Sequence, residues 1–118
     1  MPSIFSVEAE TRDGVTVLTV TGEVDLSTAP RLGAAVERAL APGAPLIVDL
    51  AGVEFIDSAG SRALALAERE ASARGARLLM IPSATVSHVF RIAGLDALFD
   101  LYAETAEALA AARVTGVG

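Results

Sequence analysis

The residues with chemical possibilities cluster in one short stretch, Phe55 to Leu64, which reads FIDSAGSRAL. An apolar run ends on Asp57, and a serine, a small residue and a glycine follow before a helical pattern begins. Three chemistries fit such a junction: a helix start, a hydrolytic nucleophile, or a serine that another protein's kinase modifies. As a helix start, Asp57 is an apt N-cap, its carboxylate accepting from the unsatisfied amides of the first turn. Ser58 and Gly60 are then small residues at a tight strand-to-helix transition.

The nucleophile fares poorly. A nucleophile elbow sets small residues on both sides of a strained serine, as G-x-S-x-G. Here Ser58 follows an aspartate, and Ser61 lies in Gly60-Ser61-Arg62-Ala63. His88 is the only imidazole, and it sits in an apolar helical stretch, where a half-buried packing role is commoner than catalysis. A receiver domain, with Asp57 as phosphoacceptor, would want a lysine against the phosphoryl group and an acidic pair for magnesium. The chain has no lysine, and no acidic pair stands beside the first strand. A phosphate-binding loop is missing too, since no glycine-rich run ends in Gly-Lys-Ser/Thr.

What remains is that Ser58 is acted upon. In the first turn of a helix, backbone amides and the helix dipole favour added negative charge. Phosphorylation brings about −1.5 to −2 charges and three strong acceptors. Asp57 adjoins the serine and Asp25 follows the second strand, so the new charge meets an acidic neighbourhood. The helix stays folded while a docked partner is rejected. This reading and the capping reading are compatible, and the residues alone do not choose.

Composition narrows the partners. The 118 residues suit one domain, residues 1–118, with one modest core, and 53% hydrophobic content excludes disorder as the default. Aromatics are 4% and tryptophan is absent, so Val, Leu, Ile and Ala must build a core suited to helix-on-sheet packing. Without cysteine there is no disulfide, thiolate metal site or thiol catalysis, and one histidine does not assemble a metal site. The formal charge is −6 and all nine basic residues are arginine, which disfavours nucleic acid and favours a basic protein surface as partner. Neither a signal peptide nor an apolar run of about 18 residues is present, so a soluble, cytoplasmic protein with no membrane partner is expected.

The elements that must position the junction follow from period and punctuation. IFSVEAETRDGVTVLTVTGEVD reads as two antiparallel strands around Asp13-Gly14. A helix follows, with Ser27 or Thr28 as cap, Pro30 in the first turn, Leu32, Ala35, Val36 and Ala39 inward, and a stop at Pro42-Gly43. PLIVDL is a short strand buried on both faces, and AGVEFI leads to the junction. The helix from Ser58 turns Ala63, Leu64, Ala67 and Ala71 inward, supports its outer face with Glu70 and Arg74, and ends at Gly75. ARLLMI is a buried strand. A short helix through Val86, Val89, Phe90 and Ile92 breaks at Gly94, DLYAE is a final edge strand, and Thr105 caps a terminal helix whose last residues fray. Alternating strands and helices behind a hairpin predict an α/β sheet. Asp49 is read as satisfying a turn, Glu68-Arg69-Glu70 as a solvated helix face, and His88 as partly exposed.

Four segments together resemble the bacterial anti-sigma factor antagonists, proteins of a single STAS domain: TGEVDLSTAPRL, LIVDLAGVEFIDSAG, RGARLLMI and VFRIAGLDALF, in the family's order between about Val7 and Ala110. The resemblance implies a small mixed sheet, about four helices packed mainly on one side, and no catalysis, metal or cofactor. It implies that an anti-sigma factor, itself an ATP-dependent serine kinase, phosphorylates Ser58. The unphosphorylated protein captures that factor and frees the sigma factor, and a serine phosphatase restores capture. Asp25 matches the family's acidic position beside the acceptor, which engages a basic residue of the kinase. The implied partner surface is Asp25, Asp57, Ser58, Ala59, Gly60 and Ser61. Ala59 fills a slot that is often serine or threonine. Ser61 departs from the family, where a large aliphatic is usual, and it is read as a solvated or back-bonded serine or, less simply, a second acceptor. A non-switching STAS scaffold subunit, in a stress-signalling or lipid-transport assembly, is the alternative.

Overall fold

Asp13 and Gly14 take positive φ, 52° and 78°, and turn the chain between β1 (Ser6–Arg12) and β2 (Val15–Val24). Two successive left-handed residues match the twist of a tight hairpin, so the expected antiparallel pair forms with Arg12 opposite Val15. The structure, a computed structural model, describes residues 4–115. The fraying expected at the extreme C-terminus falls on residues 116–118, outside that range.

Each later strand is reached through a helix. α1 (Ala29–Ala39) leads to β3 (Pro45–Ile56), α2 (Ser58–Ala73) to β4 (Arg77–Pro82), and α3 (Ala84–Ala93) to β5 (Asp100–Leu101), before α4 (Thr105–Thr115). The strands lie in the order β1-β2-β3-β4-β5, antiparallel at the hairpin and parallel elsewhere. Right-handed crossovers that always advance in one direction place their helices on one face of the sheet. Leu32 and Val36 of α1, Leu64 and Ala71 of α2, and Val86 and Phe90 of α3 accordingly share one core with Leu18, Val20, Leu46 and Val48. α4 returns over the opposite face, where Ala108 and Ala112 cover Val15, Val17, Ile47, Leu79 and Ile81. The mixed sheet, the hairpin and the one-sided bias of four helices are as expected.

β3 differs from its expected form. It is one strand of 12 residues, in which PLIVDL and AGVEFI are continuous. Between the pairs Thr19↔Asp49 and Thr21↔Gly52, and again between Gly22↔Val53 and Glu23↔Phe55, it carries one extra residue relative to β2. Each bulge flips the alternation of side chains. Leu50, Val53 and Ile56, spaced by three, therefore all face the three-helix core. Gly52 accommodates the first bulge, since a Cβ there would lie 2.8 Å from Thr21 Cγ2.

Other departures have local causes. The last strand is only two residues long, with the Tyr102 amide still donating to the Met80 carbonyl at 2.9 Å, and beside it Arg77 donates to Asp100 Oδ2 (2.8 Å), the Tyr102 hydroxyl (2.6 Å) and the Ala111 carbonyl (3.2 Å). Thr105 does not cap α4. It is the first helical residue, its hydroxyl donates to Asp49 Oδ2 at 3.4 Å, and the Glu104 carbonyl receives the Glu107 and Ala108 amides instead. Asp49 Oδ1 accepts the Ala51 amide at 2.9 Å, in line with the turn-satisfying reading. Ile92 is 75% exposed, because two residues beyond buried Phe90 is about 200° around a helix. Among the described residues no helix is long and apolar enough to cross a membrane.

Candidate functional site

The parallel pair β2 and β3 ends in register, Val24 beside Ile56, so Asp25 and Asp57 emerge together at the C-terminal end of these strands. The Asp57 amide donates to the Val24 carbonyl at 3.1 Å, which locks the two exits to each other. Asp57 then starts α2 as expected. Its backbone is extended (φ −107°, ψ −171°), its Oδ1 accepts the Gly60 amide at 2.9 Å, and its carbonyl accepts the Ser61 amide at 2.9 Å.

Gly60 has a structural necessity that its sequence context does not disclose. A Cβ at this position would lie 2.7 Å from Val24 Cγ1, 2.8 Å from Ile56 Cγ1 and 2.8 Å from the Val24 carbonyl oxygen. Only a hydrogen lets the first turn of α2 press against both strand ends. Ser58, one turn-edge away, is thereby held at a fixed, exposed place.

Asp25 is satisfied within its own loop. Its Oδ1 accepts the Ser27 hydroxyl (2.7 Å), the Ser27 amide (2.9 Å) and the Thr28 amide (3.1 Å). The Ser27 hydroxyl bond leads in holding this carboxyl below its ordinary range, with the Thr28 and Ser27 amides adding to it against the effect of burial. Neither expected cap of α1 acts as one by its side chain. Thr28 occupies the cap position, but its hydroxyl donates to the Glu23 carbonyl (2.9 Å) and accepts the Asp25 amide (2.9 Å).

Two apolar grooves flank the first turns of α2. One, of about 460 Å³, lies between α1 and α2 and takes in Ala59, with Leu26, Pro30, Ala63 and Leu66. The other, of about 410 Å³, lies between α2 and α3 and takes in Ser58 and Ser61. Arg62 borders both. His88 is exposed on α3 and lines neither.

Ser61 is neither solvated nor back-bonded. It is 6% exposed and its hydroxyl oxygen has no hydrogen-bond partner. The helical spacing could have disclosed this, since Ser61 stands three residues before inward Leu64. Glu68 likewise departs from the solvated face assigned to it. One carboxylate oxygen is buried without a partner, and burial, then the charge of Asp100, raises its pKa. Glu70 and Arg74 do pair, at 2.8 Å. Among the described residues no cluster of His, Cys, Asp and Glu could hold a metal ion.

A five-stranded sheet with helices mainly on one face, and a capped D-S-x-G turn at its edge, is the architecture of a STAS domain. The chain belongs to the STAS domain family, whose model matches residues 6–108. Anti-sigma-F factor antagonist RsfB of Mycobacterium tuberculosis is 32% identical over 114 residues, 95% of this chain and 93% of its own. An anti-sigma factor antagonist from Mycobacterium paratuberculosis superposes with a TM-score of 0.81 at 32% identity, covering 96% of this chain and 97% of that one. The anti-sigma factor antagonist SpoIIAA in its unphosphorylated form gives 0.69 at 28% identity, covering 96% and 97%. Its phosphorylated form from Bacillus gives 0.62 at 26%, covering 90% and 96%. The resemblance read from the four sequence segments is borne out.

Proposed function

We propose that this chain, acting as a single STAS domain, is an anti-sigma factor antagonist switched by phosphorylation of Ser58. Unphosphorylated, it binds an anti-sigma factor that is also a serine kinase and so releases a sigma factor. The kinase transfers the γ-phosphoryl group of its own ATP to Ser58 Oγ, and the complex dissociates. A separate serine phosphatase resets the protein. The chain supplies an acceptor and a docking surface, with no catalytic residue, cofactor or metal of its own.

The observation that carries this reading is the placement of Ser58. It is exposed in the first turn of α2, and that turn is fixed from below by the Asp57 cap and by the contact of Gly60 with Val24 and Ile56. A rigid turn with an outward hydroxyl presents an acceptor without needing to unfold. The dianion it would receive sits at a helix N-terminus, where free amides offset its charge, so the fold survives modification. The docked partner does not share that compensation. Asp25, kept ionised by Ser27 and Thr28, offers a carboxylate for a basic residue of the partner. Its Oδ2 accepts none of those bonds. The naming of the mycobacterial relatives as anti-sigma factor antagonists, and the two forms of SpoIIAA, support the same assignment. Ser61, being buried, is a poor second acceptor.

Intact mass with site mapping tests the proposal, after incubation with ATP and each candidate anti-sigma kinase of the same cell. One added phosphate, absent from Ser58→Ala, is expected. Phosphate that survives in Ser58→Ala would move the acceptor elsewhere. No phosphate from any kinase, on folded protein, would favour a non-switching scaffold.

A further inference from the structure

Ser61 forms part of the groove between α2 and α3, together with Ser58, Ala65, Val89, Ile92 and Leu95. The Ser61 residue is 94% buried, and its hydroxyl is unpaired. An unpaired buried hydroxyl disfavours the free fold. The groove itself offers about 410 Å³ of largely apolar-walled space beside Ser58.

We infer that this groove is a socket for one aliphatic side chain of the kinase that acts on Ser58. The inference rests on the proposed function, because it takes its occupant from it. Ser58 and Ser61 line the same groove and are three residues apart, about 4.5 Å along the helix axis. A stable protein interface covers roughly 800 Å² on each partner. A footprint that places a kinase active site on Ser58 therefore also covers the mouth of the groove. The walls dictate what enters, since Ala65, Val89, Ile92 and Leu95 offer only hydrocarbon. Ile92, 75% exposed at the rim, would be covered in the same step. Arg62 on the adjoining ridge gives an acidic residue next to the incoming side chain a charge to meet. An aliphatic at position 61 would fill the socket from within and exclude the partner's group, so the position sets which kinase fits.

The test compares wild type, Ser61→Leu, Ser61→Ala and Ala65→Leu for affinity toward the anti-sigma kinase that phosphorylates Ser58, with melting curves and sedimentation run alongside. Ser61→Leu is expected to weaken binding at least about tenfold while melting no lower than wild type. Ser61→Ala keeps the space and is expected to bind within about threefold, with a raised melting temperature. Ala65→Leu fills the groove from the next turn and is expected to reproduce the loss if Ser61→Leu fails to fold. Equal or tighter binding by a folded Leu variant would overturn the socket while leaving the Ser58 switch intact. A wild-type dimer that Ser61→Leu abolishes would assign the groove to a second copy and overturn it as well. Failure of wild type to bind or be phosphorylated by any kinase would remove the functional reading, and the socket with it.

Discussion

The two faces of the sheet are finished to different standards. On the α4 face the polar groups are stitched together. Arg77 joins β4 to Asp100, Tyr102 and the α4 backbone, and Asp49 joins the β3 bulge to Thr105. The α1–α3 face carries two open apolar grooves and the two buried side-chain atoms left without partners, Ser61 Oγ and Glu68 Oε2, among the described residues. Ser58, the proposed acceptor, stands on that second face. A surface completed internally has nothing left for a partner to satisfy, whereas one with unfilled hydrocarbon and unpaired polar atoms has. Local incompleteness here falls on the side proposed to bind.

The contrast can be broken most severely at Gly60. Gly60→Ala forces a Cβ into Val24 and Ile56 and lifts the first turn of α2, costing about 2–3 kcal/mol in urea unfolding. It is also expected to slow phosphorylation of Ser58, because the acceptor loses its fixed seat. Arg77→Ala sharpens the comparison from the opposite side. Loss of its bonds to Asp100, Tyr102 and Ala111 is expected to cost about 1–2 kcal/mol while leaving the rate of Ser58 phosphorylation unchanged. An equal loss of phosphorylation would show that the two faces are not independent.

The smallest effect is expected at Glu68. A carboxyl whose pKa is raised on folding holds its proton more tightly in the folded state. The stability linked to that proton is present at acid pH and is lost as pH rises from the ordinary 4.5 through the raised value. Glu68→Gln removes that loss, so the variant should be more stable than wild type near neutrality by up to about 1 kcal/mol, with the difference shrinking toward pH 4. Denaturant unfolding across this range measures it. A difference that grows on acidification would reverse the assignment.

Much of this was legible from local signals. Asp13-Gly14 set the hairpin, Gly75 and Gly94 ended helices in the left-handed conformation, and Asp57 capped α2 through its own carboxylate. The full length of β3 was not legible, because two bulges replace its alternation with the spacing Leu50, Val53, Ile56. Nor was the reason for Gly60, since its neighbours Val24 and Ile56 come from strands that only the sheet brings under the helix. Asp25 and Asp57 were expected to form an acidic neighbourhood around Ser58, but the loop bonds that occupy Asp25 depend on a turn in which Ser27 and Thr28 fold back. Ser61 misled through its residue type, although its helical phase pointed inward.

The strand order has a consequence for the chain as it is made. Because β1 to β5 lie side by side in the order in which they are synthesised, each new strand finds its neighbour already present, and loop-closure costs stay low. Everything that seats Ser58, from the hairpin through β4, is complete by residue 82. Val15, Val17, Ile47, Leu79 and Ile81 have no cover until α4 follows. A nascent chain can thus hold a finished Ser58 turn on one side while its other side is still bare hydrocarbon, a surface for chaperones until the last helix closes over it.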